Sequence, residues 1–178
     1  MNYSIRSIAL RFGGAAAAVI LSCGTPAFAA DSTATGEEAK IVIDVPVVLK
    51  RANVVFNMDH MALAGDMPFG LRYMGLLHKK MLSDKADGKI IGVFHGPAAF
   101  MTLNDSAYNA ARHVSTGNPY KTTIANLVAS GVQIEECAES MRGNGWTNKD
   151  LLSVVKVNTG AVGRITELVQ QGYVQIQP

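Results

Sequence analysis

Cys137 and His95 are the residues of this chain best suited by type to covalent chemistry, and Asp59, His60, Asn118 and Arg142 are candidates to bind what they act on. A cysteine reacts as its thiolate, and the free N–H groups and dipole at a helix start favour that form. Cys137 stands between an apolar run and a short helical stretch over 138–142, which meets this condition. Glu135, Glu136 and Glu139 would oppose a thiolate, but alternation along a strand sends Glu135 and Glu136 to opposite faces, so at most one of that pair is close. His95 precedes Gly96-Pro97, a turn that leaves its ring at a strand end, where it could pair with a thiolate or donate to an anion. Arg142 could neutralise a substrate anion beside Cys137. Plainer roles compete: a small buried hydrophobe for Cys137, loop filler for His95, a turn for Asp59-His60, a helix cap for Asn118 and a solvated surface for Arg142.

Met58-Asp59-His60-Met61 places soft and borderline metal ligands side by side, and with Cys137 such a set could hold Cu(I) or zinc. There is no Cys-x-x-Cys and no His-x-x-x-His, however, and methionines commonly fill cores. No metal and no cofactor is therefore expected. The chain also lacks Gly-x-Gly-x-x-Gly, a phosphate-binding loop and a Gly-x-Ser-x-Gly elbow.

These residues need elements to hold them. Short β-branched runs predict strands at 53–57, 89–94, 132–136, 154–157 and 173–177. Between them lie helical patterns. The first covers 68–82, with Phe69, Tyr73, Leu77 and Met81 on one face. Two short stretches follow around Asn104-Asp105. A third helix opens at Asn118-Pro119 and closes at Gly131, and a last one is capped by Thr159, presents Val162, Ile165 and Val169, and ends at Gly172. Strands alternating with helices predict an α/β fold, a mostly parallel five-stranded sheet with helices on both faces. Ligands of such sheets bind beyond the carboxyl ends of the strands. Asp59 and His60, His95, Cys137, and Asn158 with Thr159 and Gly160 each follow a strand, so all are expected at one edge.

The chain of 178 residues carries 16 basic and 14 acidic side chains, and 17% of residues are charged. That is too apolar for disorder and has no basic stripe for a nucleic acid. Arg6 and Arg11 precede a short apolar run that ends in Ala27-Phe28-Ala29, the pattern of a cleavable export signal over 1–29. Its removal takes two of the 16 basic residues and none of the 14 acidic ones, leaving a formally neutral protein with Cys137 as its one thiol and no membrane span. Residues 30–49 read as a flexible leader with a possible edge strand or arm at 41–48, interrupted by Pro46. The domain follows at 50–178, and the expected location is periplasmic or secreted.

The segment Gly131-Val132-Gln133-Ile134-Glu135-Glu136-Cys137-Ala138-Glu139-Ser140-Met141 resembles the cysteine segment of the DsrE/DsrF-like sulfur-relay family, in its signal-bearing branch. Phe94-His95-Gly96, Gly117-Asn118-Pro119-Tyr120 and the stretches from Val157 to Val162 and from Gly172 to Pro178 agree with it. The resemblance implies a single three-layer α/β/α domain and an oligomer, often a trimer or hexamer. It also implies a persulfide on Cys137, with a small sulfur compound or an acceptor thiol protein as partner. His95 and Asn118 match recurrent family positions. The competing function is a non-catalytic oligomeric module that binds a small ligand or soft metal at the strand ends.

Overall fold

The computed structural model describes residues 41–178, so the expected signal over 1–29 and most of the leader lie outside the described residues. The compact unit runs from Asp44 to Pro178. Residues 41–48 form no strand and are exposed.

Strand β1 (Arg51–Met58) buries Val54, Val55, Phe56 and Met58, and so turns apolar groups to both faces, as a strand inside a parallel sheet must. A small hairpin, β2 (Leu63–Ala64) and β3 (Met67–Pro68), leads into α1 (Phe69–Asp84). Next come β4 (Asp87–Phe94), a 3-10 segment at Gly96–Thr102, and α2 (Asp105–Arg112), whose Asn104 cap accepts from Ala107 N at 2.9 Å. The chain continues through α3 (Lys121–Ala129), β5 (Gln133–Cys137), α4 (Ala138–Asn144), β6 (Lys156–Asn158), α5 (Ala161–Gln170) and β7 (Val174–Ile176).

Five of these strands form one sheet in the order β6-β5-β4-β1-β7, and every neighbouring pair is parallel. Met74 of α1 and Ile124 of α3 pack with Phe56, Phe94 and Ile134 on one face. Ala161, Ile165 and Leu168 of α5 pack with Val55, Ile91, Val93 and Cys137 on the other. The fold class is the expected one: a five-stranded parallel sheet flanked by helices.

Two helices are rotated from the expected phase. In α1 the buried residues are Gly70, Leu71, Met74 and Met81, while Tyr73 is exposed. Gly70 sets this rotation, since a Cβ there would stand 2.2 Å from Met58 Sδ. In α5 Ala161, Ile165 and Leu168 are buried, while Val162 and Val169 face out. The small Ala161, not Val162, fits against Cys137. Thr159 does not cap α5: its N-cap is Gly160, which supplies no side chain.

Candidate functional site

Register decides what meets at the carboxyl edge. Glu136 of β5 lies opposite Phe94 of β4, and Phe94 opposite Met58 of β1. The next residues along these strands are Cys137, His95 and Asp59, so the three stand abreast on adjacent strands, with neighbouring strands about 4.8 Å apart. Cys137 also pairs with Asn158 of β6, which extends the row.

Cys137 is the N-cap of α4, and its Sγ accepts the backbone N–H of Ala161, the first residue of α5, at 3.3 Å. Two helix starts therefore converge on one sulfur. Burial pushes the thiol pKa up, but the N–H groups of Ser140, Ala161 and Glu139 and the Ser140 hydroxyl outweigh it and hold the thiol below its ordinary value. Ser140 also ties α4 to the start of the 3-10 segment, because Gly96 N donates to its Oγ at 3.0 Å. Gly96 adopts φ 53°, a left-handed conformation that glycine tolerates and that turns the chain sharply after His95.

The half-buried His95 ring bonds through Nε2 to Asn57 Oδ1 at 2.7 Å. Burial lowers its pKa, and the nearby Asp59 charge opposes that shift. Asn57 Nδ2 donates to Gln177 Oε1 at 2.6 Å, and Gln177 Nε2 donates to Asp59 Oδ1 at 2.7 Å. Asp59 pairs with His60, which holds its carboxyl below the usual range.

A parallel five-stranded sheet with this cysteine segment at its edge invites comparison with known proteins. The model of the DsrE/DsrF-like family matches residues 51–178. The chain belongs to the DsrE/DsrF-like family. A solved structure of a protein of unknown function from Methanobacterium thermoautotrophicum is similar, with TM-score 0.56 and 22% identity over 71% of this chain and 99% of that one. The ychN protein from E. coli aligns with TM-score 0.47 and 12% identity, again over 71% of this chain and 99% of that one. No curated protein matches.

Within this DsrE/DsrF-like domain the other expected site residues are more dispersed. Asn118 is buried and fully occupied by the fold. Its Nδ2 donates to Met101 O at 2.7 Å and Leu103 O at 2.6 Å, and its Oδ1 accepts from Tyr120 N at 2.8 Å. It pins the entry to α3, which begins at Lys121, and both hydrogens of its amide are taken up by the fold. Arg142 is exposed and paired with Glu139. Both therefore lie outside the row.

The methionines scatter as well. Met58 and Met101 belong to one core cluster and Met141 to another. Among the described residues no three His, Cys, Asp or Glu side chains converge as a metal would require. No described helix is long and apolar enough to cross a membrane. A cleft of about 480 Å3 opens beside Gly96, walled by Phe100, Tyr108, Tyr120 and Trp146, with Arg112 at its side.

Several contributors escape sequence reasoning. Asn57, Gln177 and Ser140 belong to the site only through register and loop docking. The two glutamates before Cys137 do part to opposite faces. Glu135 takes Arg164 of α5 at 2.9 Å, with Asn158 Nδ2 donating to it at 3.2 Å. Glu136 is fully buried, and burial raises its pKa to about 8. Its Oε1 accepts from Cys137 N at 3.0 Å, and its Oε2 lies 2.8 Å from Thr102 Oγ1. Thr102 has one hydroxyl hydrogen, and Ala99 O, 2.9 Å away, can only accept it. With both contacts made, the proton between Thr102 and Glu136 comes from a neutral Glu136 carboxyl.

Proposed function

We propose that this protein carries sulfur on Cys137. The thiolate attacks the sulfane sulfur of a small donor such as thiosulfate. A bond forms between Cys137 Sγ and that sulfur, the donor's sulfur–sulfur bond breaks, and sulfite leaves with the bonding pair. An acceptor thiolate then attacks the outer sulfur, and Cys137 departs as a thiolate. Neither step needs an outside oxidant or reductant. The observation that carries the reading is the Ala161 N–H on Cys137 Sγ at the start of α5, beside the start of α4. Such donors stabilise the thiolate both as nucleophile and as leaving group. Membership of a sulfur-relay-type family supports the same assignment.

On this reading the mature protein works outside the cytoplasm as a homo-oligomer, a trimer or hexamer. The apolar run ending in Ala27-Phe28-Ala29 supports export. Tyr73 and Leu76, exposed on α1, supply apolar surface for association.

Intact mass spectrometry of the exported protein tests the assignment. Treatment with thiosulfate or a persulfide should add the mass of one sulfur atom, which a reductant removes and Cys137→Ser never acquires. An unmodified wild-type chain would refute it. The second reading, a small-ligand binding module, draws on the aromatic cleft beside Gly96. Native spectra of the same samples would show its ligand, and the subunit count with it.

A further inference from the structure

We infer that Asn57 and Gln177 are positioning residues that fix His95 as its Nε2–H tautomer, leaving Nδ1 as the one ring atom able to take up a proton. The inference rests on the sulfur-carriage reading for what that proton transfer serves, but not for the tautomer itself.

The argument starts at the far end of the chain of bonds. Asp59 is a carboxylate at neutral pH and can only accept. Gln177 approaches Asp59 Oδ1 at 2.7 Å and must therefore present its NH2 group there. Its carbonyl Oε1 then faces Asn57, at 2.6 Å, so Asn57 must present its own NH2 group. That turns Asn57 Oδ1 towards His95 Nε2, at 2.7 Å. A carbonyl oxygen can only accept, so the hydrogen in this last bond belongs to Nε2. Flipping either amide sets two acceptors or two donors against each other, and flipping both sets Gln177 Oε1 against the Asp59 carboxylate. One carboxylate thus fixes the direction of three successive bonds. His60, which also bonds Asp59 Oδ1, leaves that direction unchanged, because it too must donate to the carboxylate.

A neutral imidazole with Nε2–H keeps its lone pair on Nδ1. His95 stands beside Cys137 in the row set by register. When an acceptor thiol enters to take the outer sulfur, its proton passes to His95 Nδ1. Its sulfur bonds the outer sulfur, and Cys137 leaves as a thiolate, so charge balances with no other reactant. Asn57 and Gln177 touch none of the reacting atoms and act through the ring.

The tautomer can be read directly in the full-length protein labelled with 15N. A long-range 1H–15N spectrum is recorded above the ring pKa, with the His95 signals assigned by comparison with His95→Gln. The expected wild-type pattern is a protonated Nε2 and an imine-type Nδ1, well separated in shift. In Gln177→Leu and Asn57→Leu the two shifts should move towards each other as the second tautomer appears. Asn57→Asp keeps an acceptor at the same place and should keep the wild-type tautomer, with the ring pKa raised by the added charge. Gln177 is exposed, so its loss spares the core. A protonated Nδ1 in the wild type, or shifts unchanged in both leucine variants, would overturn the inference. The wild-type tautomer in a protein that never acquires sulfur would refute the sulfur-carriage reading and leave the tautomer assignment standing.

Discussion

Ala161 N lies 3.3 Å from Cys137 Sγ, so the first turn of α5 is capped by sulfur from a strand two positions away from β1 in the sheet. Ala161 is the first residue of α5, where proline is tolerated, and Gly160 before it is extended, as a residue preceding proline should be. Ala161→Pro therefore deletes one donor to the sulfur while sparing the helix. It should raise the thiol pKa and slow alkylation at neutral pH several-fold, and an unchanged pH–rate profile would show that this donor does not matter. Because the folded thiol pKa is lowered, the unfolded chain holds the proton to higher pH. Stability from this group is then fully present above the ordinary thiol value and is lost as pH falls through the lowered one.

Glu136 pulls the other way. Its pKa rises from 4.5 to about 8 on folding. Between those values the unfolded chain is ionised and the fold keeps the proton, so stability should fall as pH rises, by up to about 1.4 kcal/mol per pH unit. Glu136→Gln reproduces both bonds, with Oε1 accepting from Cys137 N and Nε2 donating to Thr102. At pH 7 it should be more stable than the parent by about 3 kcal/mol, and its stability should be much flatter across the same window. Urea unfolding at several pH values would measure both slopes.

The pair of Glu135 and Arg164 is a different kind of buried charge, since each already has its partner. Glu135 is 4% exposed and Arg164 23%. Arg164→Met should cost about 3 kcal/mol, because a buried carboxylate loses its counter-charge. Adding Glu135→Gln should recover much of that loss. A double-mutant cycle in urea checks the coupling, and additive effects would contradict it.

Asn118→Ala should cost about 3 kcal/mol and leave sulfur acquisition by the folded protein unchanged. It strips partners from the carbonyls of Met101 and Leu103 and from the amide of Tyr120. A variant that keeps its unfolding midpoint would refute this structural role.

The five strands were legible because each is a short β-branched run, and Cys137 and His95 could be placed at one edge because each directly follows such a run. Their adjacency was not legible, since it depends on β4 lying between β1 and β5. Helix phase failed where two apolar residues stand side by side. Ala161-Val162 and Leu168-Val169 each offer two faces of similar hydropathy; the room around Cys137 selects the small Ala161, and Leu168, two turns later, follows it onto the buried face. Asn57 and Gln177 look like ordinary polar residues at strand ends, and only the β1–β7 pairing brings them together. Glu136 has no local mark of its neutral state, because Thr102 arrives from another element.

The bond between Asn57 and Gln177 spans 120 residues of sequence. Closing so long a loop is entropically demanding. The strand that makes the closure, β7, has three residues, and its Val174 is largely exposed. Contacts of this kind sit at the low-stability end of a fold and open before the core does. The support of His95 therefore belongs to a different cooperative unit from the cradle of Cys137. In hydrogen exchange β7 should lose protection while β4 and β5 keep theirs, and a protein opened in this way would retain both helix starts on Cys137 Sγ after losing the fixed orientation of the His95 ring.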